Sequence, residues 1–229
     1  MSVETRNENK MTSMSDVRST HALFCHPSIQ GQESFRIGTD VESLPDCHVV
    51  FRYRLSGRTK NLLIPESQFP ERADGLWKHT CFEAFVGLRN DAAYREFNFS
   101  PSGQWAVYDF SDYRERIPDD PIGEPPRIVT RRMDGCFELE ATVSFACLPV
   151  GHSRESWQIG LCAVIETMDA ENGSSHLGYW ALFHPCPRPD FHHRKGFILQ
   201  FERTMPSHQT NAGQGIAGSC YSPSCDHDE

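Results

Sequence analysis

The chain has 229 residues, 38% of them hydrophobic, with a formal net charge of -9 and a sequence pI near 5.6. That length and apolar content suffice for one all-β domain with a buried core, and the acidic balance offers no basic field to a nucleic-acid backbone or an anionic membrane surface. No apolar run approaches the length of a membrane-spanning helix.

Residues 1–20 are polar and charged, without the apolar middle of a signal peptide, so a disordered leader and a cytoplasmic location are expected. After it, strand follows strand. Short runs rich in β-branched and aromatic residues, bounded by turn residues, cover His21–His26, Phe35–Ser43, His48–Leu55, Asn61–Ile64, Trp77–Val86, Tyr94–Ser100, Gln104–Phe110, Arg127–Met133, Phe137–Phe145, Trp157–Glu166, His176–His184 and Phe197–Glu202. No long stretch of helical period competes with them. The segment from Asp112 to Pro126 carries Pro118, Pro121, Pro125 and Pro126 and must cross the surface rather than join a sheet interior. Asp134-Gly135 is a hairpin turn signal. Strand number and punctuation predict an antiparallel β-sandwich, immunoglobulin- or jelly-roll-like, with roughly ten or more strands. It occupies residues 21–203 and is followed by a polar, disordered tail over 204–229.

The three runs between Trp77 and Phe110 form a meander of two hairpins, and alternation assigns their faces. Around the first turn, Phe82 is set against Phe97, Glu83 against Glu96 and Cys81 against Asn98. At the second, Ser100-Pro101-Ser102-Gly103 suits a type I turn with Gly103 left-handed in a bulge, so that Ser100 pairs with Gln104. Phe82, Ala84, Val86, Phe97, Phe99, Trp105 and Val107 become the core face. His79, Cys81, Glu83, Glu96, Asn98 and Tyr108 become the polar one.

Two carboxylates facing each other across a ladder repel unless a cation, a shared proton or a donor intervenes. Arg114, Arg188 and His79 are the internal candidates, a bound cation or a polyhydroxylated ligand the external ones. A satisfied polar network with no ligand is the structural alternative. Further on, His184-Pro-Cys-Pro-Arg-Pro-Asp-Phe-His-His-Arg194 holds three prolines in five residues, which stiffen it into a lip over the polar face. Arg188 and His192 are expected to reach a ligand from there, while Asp190 ties the loop down. The spacing of His184, Cys186, His192 and His193 matches no standard zinc pattern. Trp77, Tyr108, Tyr113, Tyr179 and Trp180 are the aromatic candidates for stacking, with Trp180 or Tyr108 expected to take that role, whereas Trp105 and Trp157 read as core.

The blocks HTCFEAFVG, YREFNFSPSGQWAVYDFSDYR and HPCPRPDFHHRKGF resemble the bacterial DOMON-like proteins, a group related to family 9 carbohydrate-binding modules. The resemblance spans roughly Leu23 to Phe201 and is specific in those three blocks. It implies a β-sandwich and a ligand-binding role, with sugars or haem bound by the better-known relatives. Met133 and Met168 lie outside the matching blocks, so no axial haem ligand carries across. No glycine-rich dinucleotide fingerprint is present.

The expectation is therefore a non-catalytic domain that binds a small polar ligand, a carbohydrate or sugar-derived metabolite, through Glu83, Glu96, Asn98, Tyr108, Trp180, Arg188 and His192. No catalytic residue, metal site or cofactor is assigned, and haem or a divalent metal has no residue pattern behind it. A haem-binding domain and a carboxylate-pair enzyme acting on a sugar derivative are the alternatives. The nine cysteines are odd in number and mostly sit singly in apolar runs, which fits reduced, buried thiols. Cys220, Cys225, His227 and Asp228 make a metal clip conceivable on paper, but the surrounding polar composition favours a tail.

Overall fold

The structure is a computed structural model, and it describes residues 21–30, 34–118, 122–150, 156–169 and 173–202. The leader, the tail with its Cys220 to Asp228 cluster, and Pro121 lie outside the described residues.

Twelve strands are present among them, all antiparallel to their neighbours: β1 (His21–Cys25), β2 (Phe35–Ser43), β3 (His48–Gly57), β4 (Cys81–Leu88), β5 (Tyr94–Phe99), β6 (Trp105–Asp112), β7 (Glu115–Arg116), β8 (Arg127–Met133), β9 (Cys136–Ser144), β10 (Trp157–Met168), β11 (Ser175–Ala181) and β12 (Leu199–Phe201). The ladder runs β7-β6-β5-β4-β10-β11-β1-β2-β3-β9-β8, and β12 adds to β10. Strand β1 belongs to both halves of the path. His21 to Leu23 pair with β2, and Phe24 and Cys25 pair with β11. The path folds there into two layers. Among the described residues, no helix is long and apolar enough to cross a membrane.

The core lies between the layers. Phe51 and Tyr53 of β3 meet Phe97, Phe99 and Phe82 of the opposite layer, with ring centroids 6.4, 5.8 and 5.0 Å apart, and Phe82 stacks on Phe137 of β9. These rings are within a few per cent of full burial, so their removal from water is the main stabilising term. Tyr53 keeps its hydroxyl satisfied by donating to the Glu83 carbonyl oxygen at 2.7 Å. At the edge of this layer, Arg95 forms a two-pronged pair with Asp109 and donates to the Cys147 carbonyl, tying β5 to the segment after β9.

Most expected strands are present, with two differences. Asn61–Ile64 is no strand: a 3-10 turn over Thr59–Asn61 leads into a single bridge from Leu62 to Thr167. Trp77 precedes β4 on a 3-10 turn, Leu76–Lys78, entered through Gly75 in the left-handed region. The second hairpin has the expected register, Phe99 to Trp105 and Phe97 to Val107, with Gly103 at φ 96° and Ser100 N–H donating to the Gln104 carbonyl. In the first hairpin the pairing slides by two: Phe82 faces Phe99, Glu83 faces Asn98, and Glu96 faces Phe85. An even slip keeps every side chain on its face. The turn responsible is gathered by a distant residue, because Arg194 donates to the carbonyls of Leu88 and Asp91 at its two ends.

Candidate functional site

The face of β4, β5 and β6 that points away from the central core is not solvated. Every residue of β4 is buried, and Phe85, Tyr94, Tyr108, Phe110, Cys162, Ala181 and Phe197 form a second apolar cluster over this face. Two segments cover it. Residues 71–80 run along the edge of β6, where Trp105 and Ala73 exchange backbone bonds with their neighbours. The other is the proline-rich loop between β11 and β12. That loop has fixed attachments. His26, buried on β1's exit, faces the Cys186 carbonyl through Nε2 at 3.1 Å; His184 faces the Phe24 carbonyl at 2.8 Å. At its far end Phe197 and Arg194 press on the sheet where Gly160 and Gly87 lack side chains; a Cβ at Gly87 would overlap the Arg194 guanidinium.

Between these covers and the sheet lies a cavity of about 350 Å³, the lower range of small-molecule sites. Glu83 and Glu96 line it from the sheet, and Trp77, Tyr108, Tyr179, Phe191, Arg114, Arg116 and His192 from the sides. Glu83 is 3% exposed, and its Oε1 has no hydrogen-bond partner. Glu96, on the diagonal from Glu83, accepts from Asn98 Nδ2 at 2.7 Å; Cys81 Sγ reaches Asn98 Oδ1 at 3.7 Å.

The protonation of this floor follows from burial. Desolvation, and then the neighbouring Glu96, push the Glu83 carboxyl well above the usual carboxylate range. Desolvation also raises Glu96, to about 7, against the Asn98 hydrogen bond and the charges of Arg114 and Arg116. Burial works oppositely on His192 and lowers it to about 4, so its ring is neutral at physiological pH. The 3.8 Å separation between His192 Nε2 and Glu96 is therefore not an ion pair. The ring is held by Tyr94, whose hydroxyl lies 2.8 Å from Nδ1, and by edge contacts to Phe85 and Phe110.

At the rim, Arg114 donates to Asp190 at 3.0 Å, and Tyr113 also donates to Asp190. Burial pushes the Asp190 carboxyl upward, but these two donors outweigh it and hold it below its ordinary range. Arg116 lies over the Tyr108 ring at 4.1 Å, and the Tyr108 hydroxyl donates to Asp74 at 2.8 Å.

Of the seven residues expected to contact a ligand, Glu83, Glu96, Tyr108 and His192 line the cavity, and Asn98 is buried behind Glu96. Two are elsewhere. Trp180 lies on the core face of β11, opposite Ala163 and 5% exposed; its neighbour Tyr179 takes the cavity position, because successive strand residues alternate. Arg188 is exposed and lines a shallow outer cleft with Asp190 and Arg114, since the prolines on either side turn it outward. His79, offered as a partner for the acids, is bound to Glu166 at 2.8 Å instead. Met133 and Met168 are exposed and away from the cavity. Among the described residues, no group of three or more His, Cys, Asp or Glu is placed to hold a metal ion. Sequence reading named Tyr179 among the aromatic candidates but missed Phe85, Phe110, Phe191 and Arg116; Phe85 and Phe110, apolar residues on a face otherwise read as polar, were the available signal that this face is covered.

No protein-family model matches the chain, and none of the curated proteins does. Among solved structures, one similar chain is a Bacteroides uniformis protein described as a "putative carbohydrate-binding protein", at 17% identity and TM-score 0.46, covering 73% of this chain and 77% of that one. Another is a family 9 carbohydrate-binding module from Caldicellulosiruptor kristjanssonii in complex with glucose, at 9% identity and TM-score 0.47, covering 87% and 92%.

Proposed function

We propose that this cavity binds a small polyhydroxylated ligand, a carbohydrate or sugar-derived metabolite, and releases it unchanged. The supporting observation is Glu83: a buried carboxyl with an unpartnered oxygen, lining a cavity that also holds several aromatic side chains. A buried polar atom without a partner costs on the order of 1–3 kcal/mol, and a hydroxyl-bearing ligand removes that cost. A protonated carboxyl both donates and accepts, as a hydroxyl does, so the two match without moving charge. Trp77 and Tyr179 supply aromatic surface that suits the C–H side of a sugar ring. The test is a thermal-shift screen of soluble mono- and disaccharides, with Glu83→Gln and Glu96→Ala in parallel. Selective stabilisation of the wild type by at least one sugar, weakened in both variants, is the expected result. If no sugar stabilises the wild type, the reading is wrong.

One observation favours a second reading. Glu96 titrates near neutrality beside another acid, the pairing from which general acid–base catalysis is built. Release of new reducing ends from an oligosaccharide panel, abolished in Glu96→Gln, would replace binding with catalysis.

A further inference from the structure

The floor of the cavity is rich in acceptors and poor in donors. Glu83 offers an oxygen that nothing satisfies, and the residue is nine-tenths buried and more. Glu96 stands on the diagonal position beside it, its Oε1 taken by the Asn98 amide, and that amide's oxygen faces the Cys81 thiol. The titratable neighbours do not supply a free positive charge. Burial pushes up the thiols of Cys81 and Cys162 and the phenol of Tyr94, and holds His192 neutral. The two cations at the rim are engaged: Arg114 with Asp190, and Arg116 on the face of Tyr108. Two acids therefore share a desolvated floor under an aromatic wall.

We propose that the ligand carries a protonated primary amine seated on the Glu83 and Glu96 carboxyls, and that its class is an amino sugar. This rests on the sugar-binding reading above and narrows it. An ammonium has three donors and no acceptor, the complement of two carboxyls with open oxygens. One acid, Glu96, gives its proton to solvent as the ammonium arrives, and the resulting N–H···O⁻ bond is stronger than its neutral counterpart. Glu83 stays protonated and accepts through the oxygen that is orphaned in the empty site. The Trp77 ring, in edge contact with Tyr108 at 5.8 Å, lines the same cavity and favours a cation over a neutral group. The remaining hydroxyls of the sugar meet the rim.

The test uses the full chain and calorimetric titration near pH 7 with glucosamine, galactosamine and mannosamine, each beside its parent sugar and its N-acetyl form. At least one amino sugar is expected to bind about tenfold tighter than both of its partners, because the parent lacks the charge and acetylation removes it. Its apparent enthalpy should change between buffers of different ionisation enthalpy, the sign of a proton released. Glu83→Gln should lower that affinity by about tenfold, a larger loss than the same variant causes for the parent sugar. The buffer comparison needs only the wild type, so a variant that fails to fold does not remove the test. Parent sugars binding as tightly as their amino forms, or no buffer dependence, would overturn the amine while leaving the sugar reading standing. If none of the nine compounds binds, the amine falls, and the sugar reading falls with it when the thermal-shift screen is also blank.

Discussion

At the scale of single residues, the buried acids link ligand chemistry to stability. The Glu96 carboxyl is raised from about 4.5 in the unfolded chain to about 7 in the folded one, chiefly by desolvation. The folded state then binds more protons than the unfolded state between those values. Stability from this group is complete below about 4.5 and is lost as pH rises through about 7. Glu83 has the same sign. His192, lowered to about 4, has the opposite one: its contribution is complete above the unfolded value of about 6.5 and fades as pH falls toward 4. Glu96→Gln removes one titration and should gain stability relative to wild type as pH rises from about 5 to 8, by on the order of 3 kcal/mol. Paired thermal melts across that range measure it; a constant difference between the two proteins would contradict it. Trp77 and Trp180 separate affinity from stability. Trp77 is 40% exposed on a cavity wall, so Trp77→Ala should weaken sugar binding and shift the melting temperature little. Trp180→Ala opens a hole in the core and should cost about 3–5 kcal/mol, with binding by the folded fraction retained. Titrations beside denaturant unfolding curves distinguish the two.

At the scale of elements, the loop between β11 and β12 defines the site, and its place as a lip over the polar face with His192 at the cavity was legible beforehand, whereas the outward turn of Arg188 was not. Its prolines announced stiffness, and alternation placed Glu83, Glu96, Asn98 and Tyr108 on one face. The same alternation misplaces nothing within a strand, but it cannot say which residue of the pair Tyr179-Trp180 faces the central core until the register with β10 is known. Nor does local sequence report that Gly87 and Gly160, on adjacent strands, admit Arg194 and Phe197 from more than 30 positions away. That contact is long-range, and it also sets the first hairpin's register through Leu88 and Asp91. Gly87→Ala tests it. The added methyl meets the guanidinium, so a loss of about 1–3 kcal/mol in stability is expected, together with weaker sugar binding. Gly123→Ala, where an added methyl meets nothing within 4 Å, serves as a comparison in the same unfolding and titration assays.

At the scale of the whole molecule, strand count, sandwich architecture and antiparallel order were legible because period-2 patterning and turn residues carry them locally. Of the two covers on the outer face, the proline-rich lip was legible from its composition, but residues 71–80 were not, since they lie on a loop without a period. Burial on both faces also explains the cysteines. All seven among the described residues are thiols outside any disulfide; Cys81, Cys136, Cys147 and Cys162 are buried, and Cys47 is exposed with φ 65°. Brief treatment of the native protein with an alkylating reagent should label Cys47 and spare those four until denaturant is added, as peptide mass mapping would show. Rapid native labelling of Cys81 or Cys162, which flank Glu83, would mean that the cavity floor opens to water.

Strand β10 receives the proline-rich span at both ends. Residues 162–168 pair with β11, from which the chain departs, and 157–159 pair with β12, to which it returns. A span moored twice on the same strand has no single pivot about which to swing. Solute exchange with the chamber beneath it is then governed by passage through fixed openings, and arrival rates should track diffusion and solvent viscosity rather than a slow conformational step.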